Sequence, residues 1–328
     1  MSEMNAAVVA SFAEPPRYAR FAVPRAAANG EFVVDVLAAA LHPRVRSGAS
    51  GAHYTSTGQL PMIPGVDGVG RRGDGTLVYF VAGDGPLGTM AEKAVVDPRR
   101  SIELPDGVDV AKVAAAMNPA MSSWVALRQR VPISPGQNVL VLGATGNAGT
   151  MAVQVAQLLG AGHVVAAGRD RTRLAALAGR GAQTVELTGD RDPDAHALGA
   201  AAAEVDIVLD YLWGTPAERA ITALLSQRAE RSRALDWVQI GSVAGPTIEL
   251  PSVALRSANF RLQGNGQGAV SPRAYLAELP ALVDAVDAGT VEVTANVAPL
   301  ADVELIWRQP DPPAARTVLA PTPDAVLR

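Results

Sequence analysis

The stretch Asn138-Val-Leu-Val-Leu-Gly143-Ala-Thr-Gly146-Asn-Ala-Gly149-Thr-Met-Ala-Val-Gln-Val-Ala-Gln-Leu158 decides the architecture. A short apolar run of β type leads into three glycines at three-residue spacing, and these open a run with helical periodicity. Glycine suits all three places. The backbone must turn sharply, its N–H groups must approach a phosphate at the helix N-terminus, and helix and strand must pack closely. An ordinary glycine-rich turn needs neither the strand before nor the helix after. Strand, turn and helix together predict a dinucleotide-binding turn, with Gly143, Thr145, Gly146, Asn147, Ala148 and Gly149 around the pyrophosphate.

The next apolar run, His163-Val-Val-Ala-Ala-Gly168, reads as the second strand of this unit and ends at Gly168-Arg169-Asp170-Arg171-Thr-Arg173. An acidic residue at that strand end accepts hydrogen bonds from a ribose 2′-OH, whereas arginine accommodates a 2′-phosphate. Arg169 and Arg173 therefore predict NADPH, because charge-assisted bonds of about 1.5–3 kcal/mol favour it over NADH by roughly 10- to 100-fold. Two readings compete: a solvated helix start of mixed charge, or Asp170 serving the 2′-OH.

Further strands are expected at 205–210, 237–240 and 260–263, with helices over 215–225 and 272–288. About six parallel strands make a doubly wound Rossmann sheet. Residues 1 to about 120 carry short β runs between Gly and Pro turns, and β-like runs return after Val291. This pattern predicts an α/β protein with a mostly β first domain that the chain's tail completes.

Composition narrows the function. The chain has 328 residues, 48% of them hydrophobic and 18% charged, enough for two cores and too apolar for disorder. Lys and Arg total 28 against 32 Asp and Glu, with no long run of one sign, so no nucleic-acid partner is expected. With no Cys, the chain has neither a disulfide framework nor a thiolate metal site, and a cytoplasmic home is expected. The N-terminus lacks a basic region leading into an apolar one, so no secretory signal is expected. Residues 131–168 contain no charged side chain, but their prolines and glycines fit a buried α/β unit better than a membrane span.

Three further landmarks are Ile63-Pro-Gly-Val-Asp-Gly-Val-Gly70, the segment Ala114-Ala-Ala-Met-Asn118-Pro-Ala-Met-Ser122-Ser123-Trp-Val-Ala-Leu127, and Pro135-Gly-Gln-Asn-Val-Leu-Val-Leu-Gly143. With them the chain resembles the medium-chain dehydrogenase/reductase superfamily, in its zinc-free quinone oxidoreductase branch. The resemblance implies a GroES-like catalytic domain over 1–122 and 268–328 and a Rossmann domain over 123–267. It implies an NADPH-dependent enzyme, expected as a homodimer, that delivers hydride to a small-molecule quinone or α,β-unsaturated carbonyl. Two alternatives stand beside it: a zinc-free carbonyl reductase or alcohol dehydrogenase, and a dinucleotide-binding protein without turnover.

By position in the family, Asn118 and the residues after later strands, Gly241, Ser242 and Val243 and then Gly264 and Asn265, are cofactor candidates; an Asn-Pro turn is the competing reading for Asn118 and simple loop chemistry for the glycines. Val66 stands where zinc-dependent relatives carry a His ligand, so no metal is expected. His42 stands in place of their Cys, or of the Asn of quinone reductases. A ribose or substrate contact, a metal ligand shared with Asp67, and a satisfied polar residue are its three readings. Without a metal, a positioned donor must stabilise charge on the acceptor oxygen. Tyr54 is the first candidate, since a phenol keeps its proton at neutral pH, and His42 is the second. Tyr54 also reads as a loop anchor.

Overall fold

The computed structural model describes residues 2–27, 30–83, 85–266, 268–310 and 315–326. The chain divides into two compact units, Met1–Asn118 with Leu276–Arg328, and Pro119–Tyr275. Both limits fall inside helices, Val110–Val125 and Pro272–Asp287, whereas the family resemblance implies limits near 122 and 267.

The first unit begins with an antiparallel pair, β1 (Glu3–Val8) and β2 (Arg17–Ala22). Then come β3 (Phe32–Ala40), the short helix α1 (Pro43–Ala49), β4 (Asp67–Arg71), β5 (Leu77–Val81), β6 (Lys93–Val96) and β7 (Ser101–Glu103). Period-two alternation puts Val34, Val36, Val78 and Phe80 in one buried cluster with Ala94 and Val96. The helix α2 (Val110–Val125) includes Pro119, where the sequence allows an Asn-Pro turn.

The second unit alternates strand and helix: β8 (Asn138–Leu142), α3 (Asn147–Leu158), β9 (His163–Gly168), α4 (Arg171–Gly179), β10 (Gln183–Glu186), α5 (Arg191–Ala202), β11 (Ile207–Asp210), α6 (Gly214–Gln227), β12 (Leu235–Gln239) and β13 (Phe260–Gly264). Its six strands lie in the order β10-β9-β8-β11-β12-β13, all parallel. This is the Rossmann order. Strand succession reverses between β8 and β11, and in such sheets a ligand crevice opens at that point, outside the strand carboxyl ends. Both faces are covered by helices, so β8 and β11 are buried along nearly their whole length. Trp237 and Phe260 meet edge to face at 6.3 Å in this core, where truncating such a ring costs about 3–5 kcal/mol. Burial also explains the uncharged run 131–168. Among the described residues no helix is long and apolar enough to cross a membrane.

After α7 (Pro272–Asp287) the chain forms β14 (Ala295–Pro299), α8 (Val303–Trp307) and β15 (Arg316–Ala320). β15, wholly buried, pairs antiparallel with β3 and parallel with β14, giving a seven-stranded sheet. Leu300, Val303 and Leu319 thereby enter one core with Met4, Leu41, Ile63 and Met90.

Candidate functional site

At the β8–α3 turn, Gly143 takes φ +86°, and the amides of Gly143 and Ala144 both donate to Ala167 O at 2.9 Å. A Cβ on Gly149 would lie 2.2 Å from Gly143 O and 2.7 Å from Ala144 Cα, both backbone atoms. Only glycine allows this packing. Gly146 caps α3 with no side chain bonded over the helix end, while the Thr150 hydroxyl turns inward to Ala144 O at 3.1 Å. The first turn of α3, with Asn147 and Ala148, is thus a helix N-terminus without a side-chain cap, which fits a dinucleotide's pyrophosphate.

Thr145 packs on the end of β9, where a Cβ on Gly168 would meet its Cγ2 at 2.5 Å. The residues beyond have divided tasks. Asp170 is the N-cap of α4 and accepts the Arg173 amide at 3.0 Å, so its carboxylate is engaged by its own helix. Arg171 pairs with Glu186 at 2.7 Å. Arg173 turns back to the glycine turn, donating to Thr145 O and, at 2.8 Å, to Asn147 Oδ1. Burial pulls its guanidinium below the ordinary range, with Asp170 opposing. Arg169 stays exposed at the strand end.

The carboxyl end of β11 carries two groups, Asp210 and Tyr211, that sequence reading passed over, beside the candidates after β12 and β13. Buried Asp210 accepts the amides of Leu212 and Trp213 at 2.8 and 2.9 Å and the Trp237 indole N–H at 3.1 Å. Burial pushes its carboxyl up, while these three donors pull it down. The carboxylate holds the turn in which Trp213 adopts φ +55°, a conformation costly for a side chain of its size. Ser122 donates its hydroxyl to Pro119 O at 2.7 Å, so the 2.9 Å contact with Tyr211 has the phenol as donor. Burial moves that phenol up to about 12. A Cβ on Gly241 would meet Tyr211 O at 2.7 Å. Asn265 donates from its backbone to Gln239 O at 2.8 Å and from Nδ2 to Ser122 O at 2.7 Å. Gly264, whose carbonyl accepts from Arg130, is exposed, as are Ser242 and Val243; Asn118 is half-buried in α2. Local spacing signals neither the bond of Asp210 to Trp237 nor that of Tyr211 to Ser122, because these partners are distant in sequence.

In the first unit, His42 precedes α1 and is 2% exposed. Its Nε2 lies 3.3 Å from Asp67 Oδ1, and Tyr79 donates its hydroxyl to Asp67 Oδ2 at 2.7 Å. An ionised carboxylate only accepts, so Nε2 carries the proton and Nδ1 is left as an acceptor. Among the described residues no group of three or more His, Asp or Glu side chains could hold a metal ion. Tyr54 is 72% exposed, its ring 4.4 Å from that of His53. His53, rather than Tyr54, lines a small pocket of about 90 Å³ bounded also by Arg44, Ser56, Met62 and Val66.

Burial holds the His42 imidazole below its ordinary 6.5, outweighing the pull of Asp67. The unfolded chain therefore binds a proton that the native chain refuses. This share of stability is complete above pH 6.5 and declines as pH falls from there toward the lowered native value, by at most about 1.4 kcal/mol per pH unit. His42→Asn should flatten the decline in melting temperature between about pH 7 and 5. An identical decline in the variant would show that His42 does not carry it.

No family model matches the chain. A "Probable NADPH-dependent quinone reductase tdiC" of Emericella nidulans is 29% identical over 97% of this chain and 100% of its own. A quinone oxidoreductase of Pseudomonas aeruginosa is 32% identical over 36% of this chain and 41% of its own. The solved structure of a "putative NADPH:quinone reductase" from Bacillus thuringiensis superposes with TM-score 0.80 at 18% identity, covering 98% of this chain and 100% of that one. Over its full length the chain is thus similar in sequence to a probable NADPH-dependent quinone reductase, and its fold, a Rossmann unit and a mostly β unit, is similar to that of a solved quinone reductase.

Proposed function

We propose that this protein is an NADPH-dependent oxidoreductase that reduces a quinone or an α,β-unsaturated carbonyl without a metal. The observation that carries the reading is the glycine turn with Arg169 exposed beside it and Asp170 engaged as a helix cap. The tdiC relative, full-length to this chain, is named for NADPH and for quinone reduction.

Bound NADPH supplies a hydride, which with one proton converts a quinone to a hydroquinone or an enone to a saturated ketone. The chain's own residues do the rest. Gly143, Gly146 and Gly149 admit the pyrophosphate to backbone N–H groups of the turn, and Arg169 meets the 2′-phosphate. Arg173 supports both indirectly, by holding Thr145 and Asn147 in place. In the first unit, Tyr54 donates its hydroxyl hydrogen to the acceptor oxygen as charge develops there. His42, its Nε2 held by Asp67, which also accepts from Tyr79, keeps Nδ1 as an acceptor for a ligand hydroxyl.

The test is NADPH and NADH oxidation by the purified protein against quinones, enones and simple ketones. Quinone or enone reduction with NADPH preferred is expected. Turnover of ketones alone would favour a carbonyl reductase, and binding without turnover on the whole panel a non-catalytic protein. In the same assay, Tyr54→Phe should lower kcat about 10- to 100-fold with NADPH affinity nearly unchanged. An unaltered rate would leave Tyr54 a loop anchor.

A further inference from the structure

The turn after β11 touches two loops of the second unit: the glycine turn of 143–149, and the segment 241–245 that carries the candidates Gly241, Ser242 and Val243. On one side, Leu212 fills the space that a side chain on Gly143 would take. A Cβ there would lie 3.0 Å from Leu212 Cδ2 and 3.3 Å from Tyr211 Cβ. On the other side, the Ala244 amide donates to Leu212 O at 2.8 Å. A Cβ on Gly241 would meet Tyr211 O at 2.7 Å, and one on Gly214 would meet Ala244 O at 2.8 Å, so here backbone lies directly on backbone. The turn that joins these loops does not keep its shape by local preference. Trp213 has φ +55° and ψ −163°, a region that is essentially glycine's. Asp210 supplies the restraint. Its Oδ1 accepts the amides of both Leu212 and Trp213, and its Oδ2 accepts the indole N–H of Trp237 on the core strand β12. Asp210 is 0% exposed, so it acts through the residues it holds rather than on a ligand.

We propose that Asp210 is a positioning residue of the dinucleotide site. By taking both amides, its carboxylate keeps Leu212 against Gly143 and Leu212 O on the Ala244 amide, and so sets the glycine turn and the segment 241–245 in one fixed relation. Ordering both loops before a ligand arrives removes that cost from binding. This inference rests on the reading of the chain as an NADPH-dependent reductase, and it adds to that reading a residue that touches no cofactor atom.

The first test needs no nucleotide. In the full chain the amides of Gly143 and Ala144 bond to Ala167 O and that of Ala244 to Leu212 O, so all three resist hydrogen exchange. Asp210→Ala should speed exchange about 10-fold or more over 143–149 and 241–245 together. Leu212→Ala should do so over 143–149 alone, because the bonds to Asp210 and from Ala244 use its backbone. Asp210→Asn is the conservative variant. Its carboxamide oxygen still takes both amides while its NH2 faces the Trp237 N–H, so both segments should stay protected although the melting temperature falls. The second test is nucleotide titration of the same variants. Asp210→Ala and Leu212→Ala should each weaken NADPH and NADH alike, by about 10-fold, and the double variant should bind no more weakly than Asp210→Ala, since one residue acts through the other. Unaltered exchange over 143–149 in folded Asp210→Ala or Leu212→Ala would overturn the inference. So would equal exchange in Asp210→Asn and Asp210→Ala, or losses of affinity that multiply in the double variant. If Asp210→Ala does not fold, faster exchange in Leu212→Ala but not in Asp210→Asn upholds it, and any other pattern overturns it. The expected exchange in a chain that binds neither nucleotide would uphold the tie between the loops and defeat the NADPH reading. NADPH binding with exchange unaltered in every variant would do the reverse.

Discussion

Gly149→Ala should remove measurable NADPH binding and lower the melting temperature. The added Cβ would stand 2.2 Å from Gly143 O and 2.7 Å from Ala144 Cα, and neither backbone atom can yield without opening the turn. Overpacking of well-packed sites costs about 1–3 kcal/mol, occasionally more, and a clash with backbone belongs at the upper end. In a chain of 328 residues that corresponds to a fall of roughly 4 °C or more. Opening the turn also carries the α3 amides away from the pyrophosphate position, so we expect the dissociation constant for NADPH to rise about 100-fold or more. Gly146→Ala is the matched control for the fold. A Cβ there would meet only Gly143 O, at 3.4 Å, and its φ of −76° suits any residue, so its melting temperature should stay near that of the wild type. Nucleotide fluorescence titration and thermal denaturation of the two variants separate the effects. Wild-type behaviour of Gly149→Ala in both would mean that the turn is not packed as described.

Arg169→Glu should invert cofactor choice. The arginine is exposed immediately after Gly168, and the neighbouring carboxylate of Asp170 already accepts the Arg173 amide. Reversing its charge removes a favourable contact with a 2′-phosphate, worth about 1.5–3 kcal/mol, and adds repulsion. The NADPH preference over NADH should fall by about 100-fold or more, the difference shrinking as salt rises. Arg173→Gln offers a contrast. Its guanidinium holds Thr145 O and Asn147 Oδ1, so its loss should weaken both nucleotides alike. Equal losses of NADPH and NADH in Arg169→Glu would place the 2′-phosphate elsewhere.

The parts of this protein legible in one sequence are those whose partners are close along the chain. β8, the turn and α3 span 138–158, and each element's signal is local: an apolar run, glycines, helical periodicity. β5 and β6 are short β-type runs, Leu77-Val-Tyr-Phe-Val81 and Lys93-Ala-Val-Val96, whose signal is local. β2 reads poorly, since Arg17-Tyr-Ala-Arg-Phe-Ala22 is mostly exposed and pairs only with β1. α2 is obscured by Pro119, which reads as a breaker although the helix continues through it. The role of Arg173 is hidden for another reason. Its spacing from Arg169 fits a shared phosphate, but packing of α4 against the turn brings it to Thr145 and Asn147 instead.

The sequence by itself determined the doubly wound unit, the glycine turn, the arginine at the end of its second strand and the lack of any thiolate ligand, because these rest on residue type and short spacing. Tertiary structure alone decided which side chains meet across the fold. His42 and Tyr79 meet on the two oxygens of Asp67, Asp210 is tied to Trp237, and β15 closes the sheet on β3. It also decided that His53, Arg44 and Ser56 border one pocket. Burial is the physical reason. A polar group taken from water must find its partner wherever packing places one, and the strength and direction of that contact depend on distances that no local pattern encodes.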